Sequence, residues 1–199
     1  EIVGRIKKDD ESVPYFSNGY FYYTKYEPGK EYAINCRKKG TLDSDEEIIL
    51  DQNILADGKD YFAVGGWSVS PNNEWLAYST DYISRRIYTV HFKNLLTGET
   101  IQNAISNSSG SVAWANDNRT VFYTSKNDVT LLSEKIWSHK LGSDSKSDKM
   151  VYHEKDDTFY NGVYRSKSGD YIIIYNQSTL VSDFHILNAN NPDGDFMNF

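Results

Sequence analysis

Few strings in this 199-residue chain could do chemistry, and each has a plainer use. Gly66-Trp67-Ser68-Val69-Ser70 comes nearest to a serine elbow. Such an elbow needs a glycine on both sides of the nucleophile, because the turn is too tight for a Cβ. Here Ser70 stands where the second glycine belongs, and the string lies between two β-prone runs, so Ser68 reads as a strand residue. Gly110-Ser111 falls in a Ser/Asn-rich stretch that reads as a loop. The four histidines, His91, His139, His153 and His185, are scattered, with no H-x-x-x-H or similar ligand spacing, so no built-in metal site is expected. Cys36 is the only cysteine, which rules out an internal disulfide and a cysteine-built zinc site. Asp193-Gly194-Asp195 lacks the ligand spacing of a calcium loop and reads as a polar turn. No cofactor is expected.

Two charged strings could bind rather than react. Asp81-Tyr82-Ile83-Ser84-Arg85-Arg86 lies between two strands and would present Arg85 and Arg86 at one rim. They read either as solvated turn charges or as ion-pair contacts with another domain, since the planar fork of arginine suits carboxylates. Glu154-Lys155-Asp156-Asp157 is an acidic run that could attract a basic peptide, though a solvated link between units is the simpler reading.

The elements that carry these strings repeat. Residues 69–99, 113–146 and 164–194 are loose copies of one another. Each opens on a polar turn (Ser70-Pro71-Asn72-Asn73, Ala115-Asn116-Asp117-Asn118, Ser166-Lys167-Ser168-Gly169) and continues into an apolar strand (WLAYS, TVFYT, YIIIY) and a second β-prone run (IYTVHF, KIWSHKL, FHILNA). His91, His139 and His185 fall in the equivalent second runs, which favours structural roles. NGYFYYT at 18–24 opens a more degenerate first copy. A period of about 45 to 55 residues suits propeller blades, four-stranded units that must stack because none can cover both its faces alone. The expected fold is all-β: an incomplete β-propeller of about four blades, each a four-stranded antiparallel meander. Residues 1–12 read as a charged lead-in, and the blades as 13–58, 60–104, 106–155 and 156–199. Pro28-Gly29 marks a type II hairpin turn, and 52–59 a short helical turn ended by Gly58. Nothing near Phe199 reads as a strand returning to close a ring, and the first residue is Glu1, so a truncated chain is expected, with open blade edges that could drive self-association.

Composition narrows the partners. Aromatic residues make up 15 % of the chain, with 16 tyrosines, as suits strands whose rings pack while their hydroxyls reach water. A net charge of −7 with no basic stripe argues against nucleic acid and would favour cationic ligands. No apolar run is long enough to span a membrane, and the first residues carry charge where a signal peptide is apolar. Three glycosylation sequons, at Asn107, Asn118 and Asn176, read as chance in an asparagine-rich chain. A single thiol fits a reducing compartment such as the cytoplasm, with the periplasm still open.

At this point a resemblance enters. YEPGKEYAI (26–34), DYISRRIY (81–88), NLLTGE (94–99), VAWAND (112–117), VTLLSEKIWSHKLG (129–142) and EKDDTFY (154–160) resemble, in order, the propeller of the oligopeptidase B (protease II) group of the prolyl oligopeptidase family of serine peptidases. The resemblance implies a parent with a seven-bladed propeller that gates a C-terminal α/β-hydrolase domain, and cleavage of short peptides after Lys or Arg. No triad or primary specificity residue carries over, because the segment that would hold them is not matched; the catalytic residues expected in this chain are none. Arg85 and Arg86 match the family's RR string and carry over only as candidate interdomain contacts. The alternative is a stand-alone binding module that pairs through its open blade edges.

Overall fold

The computed structural model describes residues 3–5, 7 and 9–199, so the expected lead-in lies partly outside the described residues. The chain divides into two compact units, 1–62 and 63–199. The first unit is one blade. Strands β1 (Tyr15–Ser17), β2 (Tyr20–Lys25), β3 (Ile34–Lys39) and β4 (Glu46–Asp51) form an antiparallel meander in that order. Asn18 and Gly19, at φ 46° and 83°, make the two-residue turn between β1 and β2, a pair suited to the positive φ values that such a hairpin needs. Gly29, at φ 79°, makes the next turn, where the Lys30 amide donates to the Glu27 carbonyl at 3.0 Å. The Asp51 carboxylate accepts from the Asn53 amide at 2.9 Å and caps α1 (Gln52–Ala56), which is shorter than the expected 52–59. Gly58, at φ 68°, turns the chain out of it.

Pairing begins before residue 13. Glu11 bridges Lys25, and the Ser12 amide donates to the Thr24 carbonyl at 2.8 Å. The reason is length: β1 pairs only with 20–22, so the far half of β2 takes its partners from the lead-in. Tyr23, Ile34 and Cys36 form a small core, and burial pushes the Cys36 thiol up to about 12.

In the second unit, β5 (Ala63–Val69), β6 (Trp75–Asp81), β7 (Tyr88–Asn94), β8 (Ile105–Trp114), β9 (Thr120–Lys126), β10 (Ser133–Lys140) and β11 (Lys149–His153) are joined in one seven-stranded antiparallel sheet. Strands β12 (Tyr160–Arg165), β13 (Tyr171–Gln177), β14 (Ser182–Asn188) and β15 (Met197–Asn198) form a second sheet. The seven-stranded sheet is two blades sharing β8, whose first residues pair with β7 and whose last pair with β9. The Ser/Asn-rich stretch expected to be a loop is therefore strand. Gly110, at φ 105°, sits in the register shift between Ser108 and Val112, and its amide donates to the Ser108 hydroxyl at 3.0 Å. Serines suit this crossing because a small hydroxyl side chain can fold back on its own backbone.

The repeat survives atom by atom. In blades two, three and four, the first residue of the polar turn makes the same bond: the Ser70 amide donates to the Trp75 carbonyl, Ala115 to Thr120, and Ser166 to Tyr171. The left-handed position of each turn is filled by Asn73, Asn118 and Gly169. Alternation along the middle strand then sets the stacking. The first and third positions face the next blade: Trp75 and Ala77 join a core with Trp114, Val121 and Tyr123, and Phe122 joins one with Ile172, Ile174 and Leu187.

Candidate functional site

Arg85 and Arg86 lie in the loop between β6 and β7 and are exposed. The loop is built on Asp81, which is 1 % exposed. Its Oδ1 accepts from the Ile83 amide at 2.8 Å and its Oδ2 from the Arg86 amide at 2.7 Å. Those bonds hold Ser84 and Arg86 at φ 59° and 55°, a conformation that non-glycine residues adopt at a cost. Lys126 lies within electrostatic reach: burial first, and then the Arg86 charge, lower its ammonium pKa, with Asp81 acting the other way. The rim thus presents positive charge on a braced loop. It can bind carboxylates and cannot by itself transfer a proton at neutral pH.

Ser68 lies within β5, opposite Ala77, and its carbonyl accepts from the Trp114 indole at 3.1 Å. It stands at no strand-to-helix turn. The histidines are in structural positions. His91 and His185 share a register, opposite Tyr78 and Ile174, whereas His139 lies opposite Val121, two places along. His91 meets the Thr80 hydroxyl at 3.0 Å, and burial holds its imidazole below the usual range. His185 meets Asp183 at 3.0 Å.

His139 was not distinguished from the other two by sequence, yet it has the most developed surroundings. It is fully buried, its Nδ1 lies 2.7 Å from Asp148, and its ring stacks on Phe92 at 5.5 Å. The second Asp148 oxygen accepts from the Tyr123 hydroxyl at 3.0 Å. Burial first, then the Asp148 charge, push the Tyr123 phenol well up. An imidazole–carboxylate pair is the acid–base half of a serine triad, but this one is enclosed and its Nε2 has no hydrogen-bond partner among the described residues. It ties blade three to blade two.

The remaining expectations are placed as follows. Glu154 lies between β11 and β12 and accepts from the Lys155 and Asp156 amides and the Tyr152 hydroxyl, so the acidic run is a hydrogen-bonded link. Asp193 pairs with Lys140 at 3.0 Å. Among the described residues, no three His, Cys, Asp or Glu side chains cluster so as to hold a metal. Asn176 is 1 % exposed, and the Asn118 side chain accepts from the Asn72 amide. No helix among the described residues is long and apolar enough to cross a membrane.

Sequence reasoning missed a cavity of about 570 Å³ in the second unit, walled by the first strands of its three blades and including Gly66, Ser111, Asn161 and Arg165. Its only signal in the sequence is a glycine in each of those strands, at 66, 110 and 162.

A family model described as the prolyl oligopeptidase N-terminal beta-propeller domain matches residues 1–199. The chain belongs to the prolyl oligopeptidase family. It is 40 % identical over 207 residues to dipeptidyl aminopeptidase BI of Pseudoxanthomonas mexicana, covering 96 % of this chain and 29 % of that protein. Protease 2 of Moraxella lacunata is 32 % identical over 198 residues, with the same two coverages, 96 % and 29 %. Among solved structures, oligopeptidase B from Leishmania major superposes with a TM-score of 0.92 at 29 % identity, covering 100 % of this chain and 28 % of that one. The chain is thus an N-terminal propeller region of a prolyl oligopeptidase family peptidase, and it spans less than a third of the length of these relatives. The family is one of serine peptidases, and the propeller blades expected from the repeats belong to the family's β-propeller domain.

Proposed function

We propose that this chain serves as the gating propeller of a longer serine peptidase that cleaves short peptides after Lys or Arg. The longer protein would supply the serine, aspartate and histidine from a hydrolase domain, while the propeller excludes large substrates and bulk water. The observation that carries this reading is the uncovered face of blade four. Tyr171 and Ile173 occupy the first and third positions, which in blades two and three face the next blade, and Tyr171 is 44 % exposed. With Phe184 and Ile186 they line an apolar hollow of about 430 Å³. Such a face is built for a further blade, so the chain works inside something longer. Preference for basic substrates is supported by the likeness to Protease 2 and oligopeptidase B and by the net charge of −7, which draws cationic peptides. Arg85 and Arg86, the cations of one rim, would contact carboxylates of the hydrolase domain.

The test is turnover of blocked arginyl and prolyl aminocoumarin peptides by the full-length protein and by residues 1–199 alone. Cleavage after Arg by the long form only, abolished by a serine-directed fluorophosphonate, is the expected result. Equal turnover of both substrates, or activity in the 199-residue chain, would overturn it. The same open face favours one other reading, a self-associating binding module. Sedimentation of the 199-residue chain as a discrete dimer, from a gene that ends nearby, would select that reading instead.

A further inference from the structure

The turns that join the second and third strands of blades two, three and four share a feature that neither the repeat nor the gating role uses. In each, a polar residue at or just past the end of the middle strand folds its side chain onto the amide two places on. Asp81 accepts from the Ile83 amide at 2.8 Å, and Asn127 from the Val129 amide at 2.9 Å. The Ser178 hydroxyl accepts from the Leu180 amide at 3.4 Å and the Val181 amide at 3.1 Å. The residue held in this way is aliphatic every time, and it stands in solvent: Ile83 is 70 % exposed, Val129 89 % and Leu180 92 %. Turn tips ordinarily carry Gly, Pro, Asn, Asp or Ser. The turns at the other ends of the same strands keep closer to that rule, and among the described residues they expose one large apolar side chain, Leu96. Single apolar residues scattered over a surface need no explanation, but the same position in three successive blades is a pattern. Each tip is braced by its own turn, so a partner that docks on it pays little to order it.

The way blades stack narrows what covers these tips. A blade lies against its neighbour's face, through residues such as Trp75 and Phe122, whereas the tips stand at the strand ends. A further blade therefore leaves them open. Ile83 shares its loop with Arg85 and Arg86, so one partner would meet both. We propose that Ile83, Val129 and Leu180 are the apolar feet on which the hydrolase domain of the longer protein rests when closed, with Arg85 and Arg86 setting its orientation. This rests on the reading proposed above, which supplies that domain. It adds that closure is held by burial of aliphatic side chains, with charge acting on specificity and approach.

The test is photo-crosslinking in the full-length protein, with benzoylphenylalanine placed in turn at positions 83, 129 and 180 and, as a control, at 96. Mass spectrometry should map the crosslinks from 83, 129 and 180 to the hydrolase segment beyond the propeller, with none from 96. Crosslinks to a second copy or to another blade, no crosslinks at all, or equal capture from 96 would overturn the inference. The double variant Ile83→Ser, Leu180→Ser should lower the closed-to-open ratio at least about tenfold, read by energy transfer between dyes on the two domains. An unchanged ratio would overturn it as well. Sulfate, which strengthens apolar burial while screening charge, should favour the closed form, and opening in sulfate would refute the apolar assignment. None of these readouts uses turnover. A protein that crosslinks as expected yet spares arginyl substrates would sink the specificity proposed above and leave this inference standing, and the opposite pair of results would do the reverse.

Discussion

The two faces of β13 differ in their company and hardly at all in composition. On one, Ile172 and Ile174 are fully buried against Phe122 and Ile136 of blade three. On the other, Tyr171, Ile173 and Tyr175 are large and mainly hydrocarbon yet partly open to solvent. In an ordinary half-buried strand the second face would be polar. An apolar pattern on both faces is the mark of a strand meant to be covered twice. The comparison shows that stacking in this fold is written into each blade and does not depend on the neighbour being present.

Breaking the covered side should have the largest effect. Phe122→Ala removes a fully buried ring from between blades three and four, and should cost about 3–5 kcal/mol in chemical denaturation. Ile174→Ala, on the covered face of β13 itself, should cost about 2–5 kcal/mol in the same assay. Ile173→Ser, one residue away on the open face, should cost under about 1 kcal/mol in the 199-residue chain. In the full-length protein the same change should lower the melting temperature clearly, and equal effects in the two forms would refute the idea that a further blade covers this face. Within blade two, His91, on the face of β7 opposite Val90 and Phe92, offers a smaller, pH-dependent contrast. His91 is held neutral by burial, so its folded pKa lies below the unfolded value of about 6.5. Between those two values the unfolded chain binds more protons, and stability falls as pH is lowered through that window. His91→Gln should flatten that part of the stability–pH curve and leave the neutral end nearly unchanged, as measured by urea midpoints at successive pH values.

Much of the fold was legible because its signals are local. Polar turns with Asn or Gly at the left-handed position, apolar middle strands and Pro28-Gly29 each act within a few residues, and the structure keeps them. The stretch from Ser106 to Ser111 reads as loop because its polar composition resembles one, whereas the backbone there is strand, with Ser108 paired to β7 on one side and β9 on the other. The candidate sites were less legible. That three histidines fall in second-run strands could be found from sequence, but not that His139 would sit two places off the register of the others and meet a carboxylate 9 residues away across a turn.

By itself, the sequence determined the repeat and the antiparallel meander of each blade, because alternation and turn chemistry act at short range. Only the tertiary structure decided that β8 serves two blades, that Asp81 braces the arginine loop, and that three glycine-bearing strands enclose a cavity. The first depends on a backbone bend at Gly110, the second on where a carboxylate two and five residues from its partners folds back, and the third joins strands more than forty positions apart. Neither pattern nor composition records which edges the packing of one blade on another will bring together.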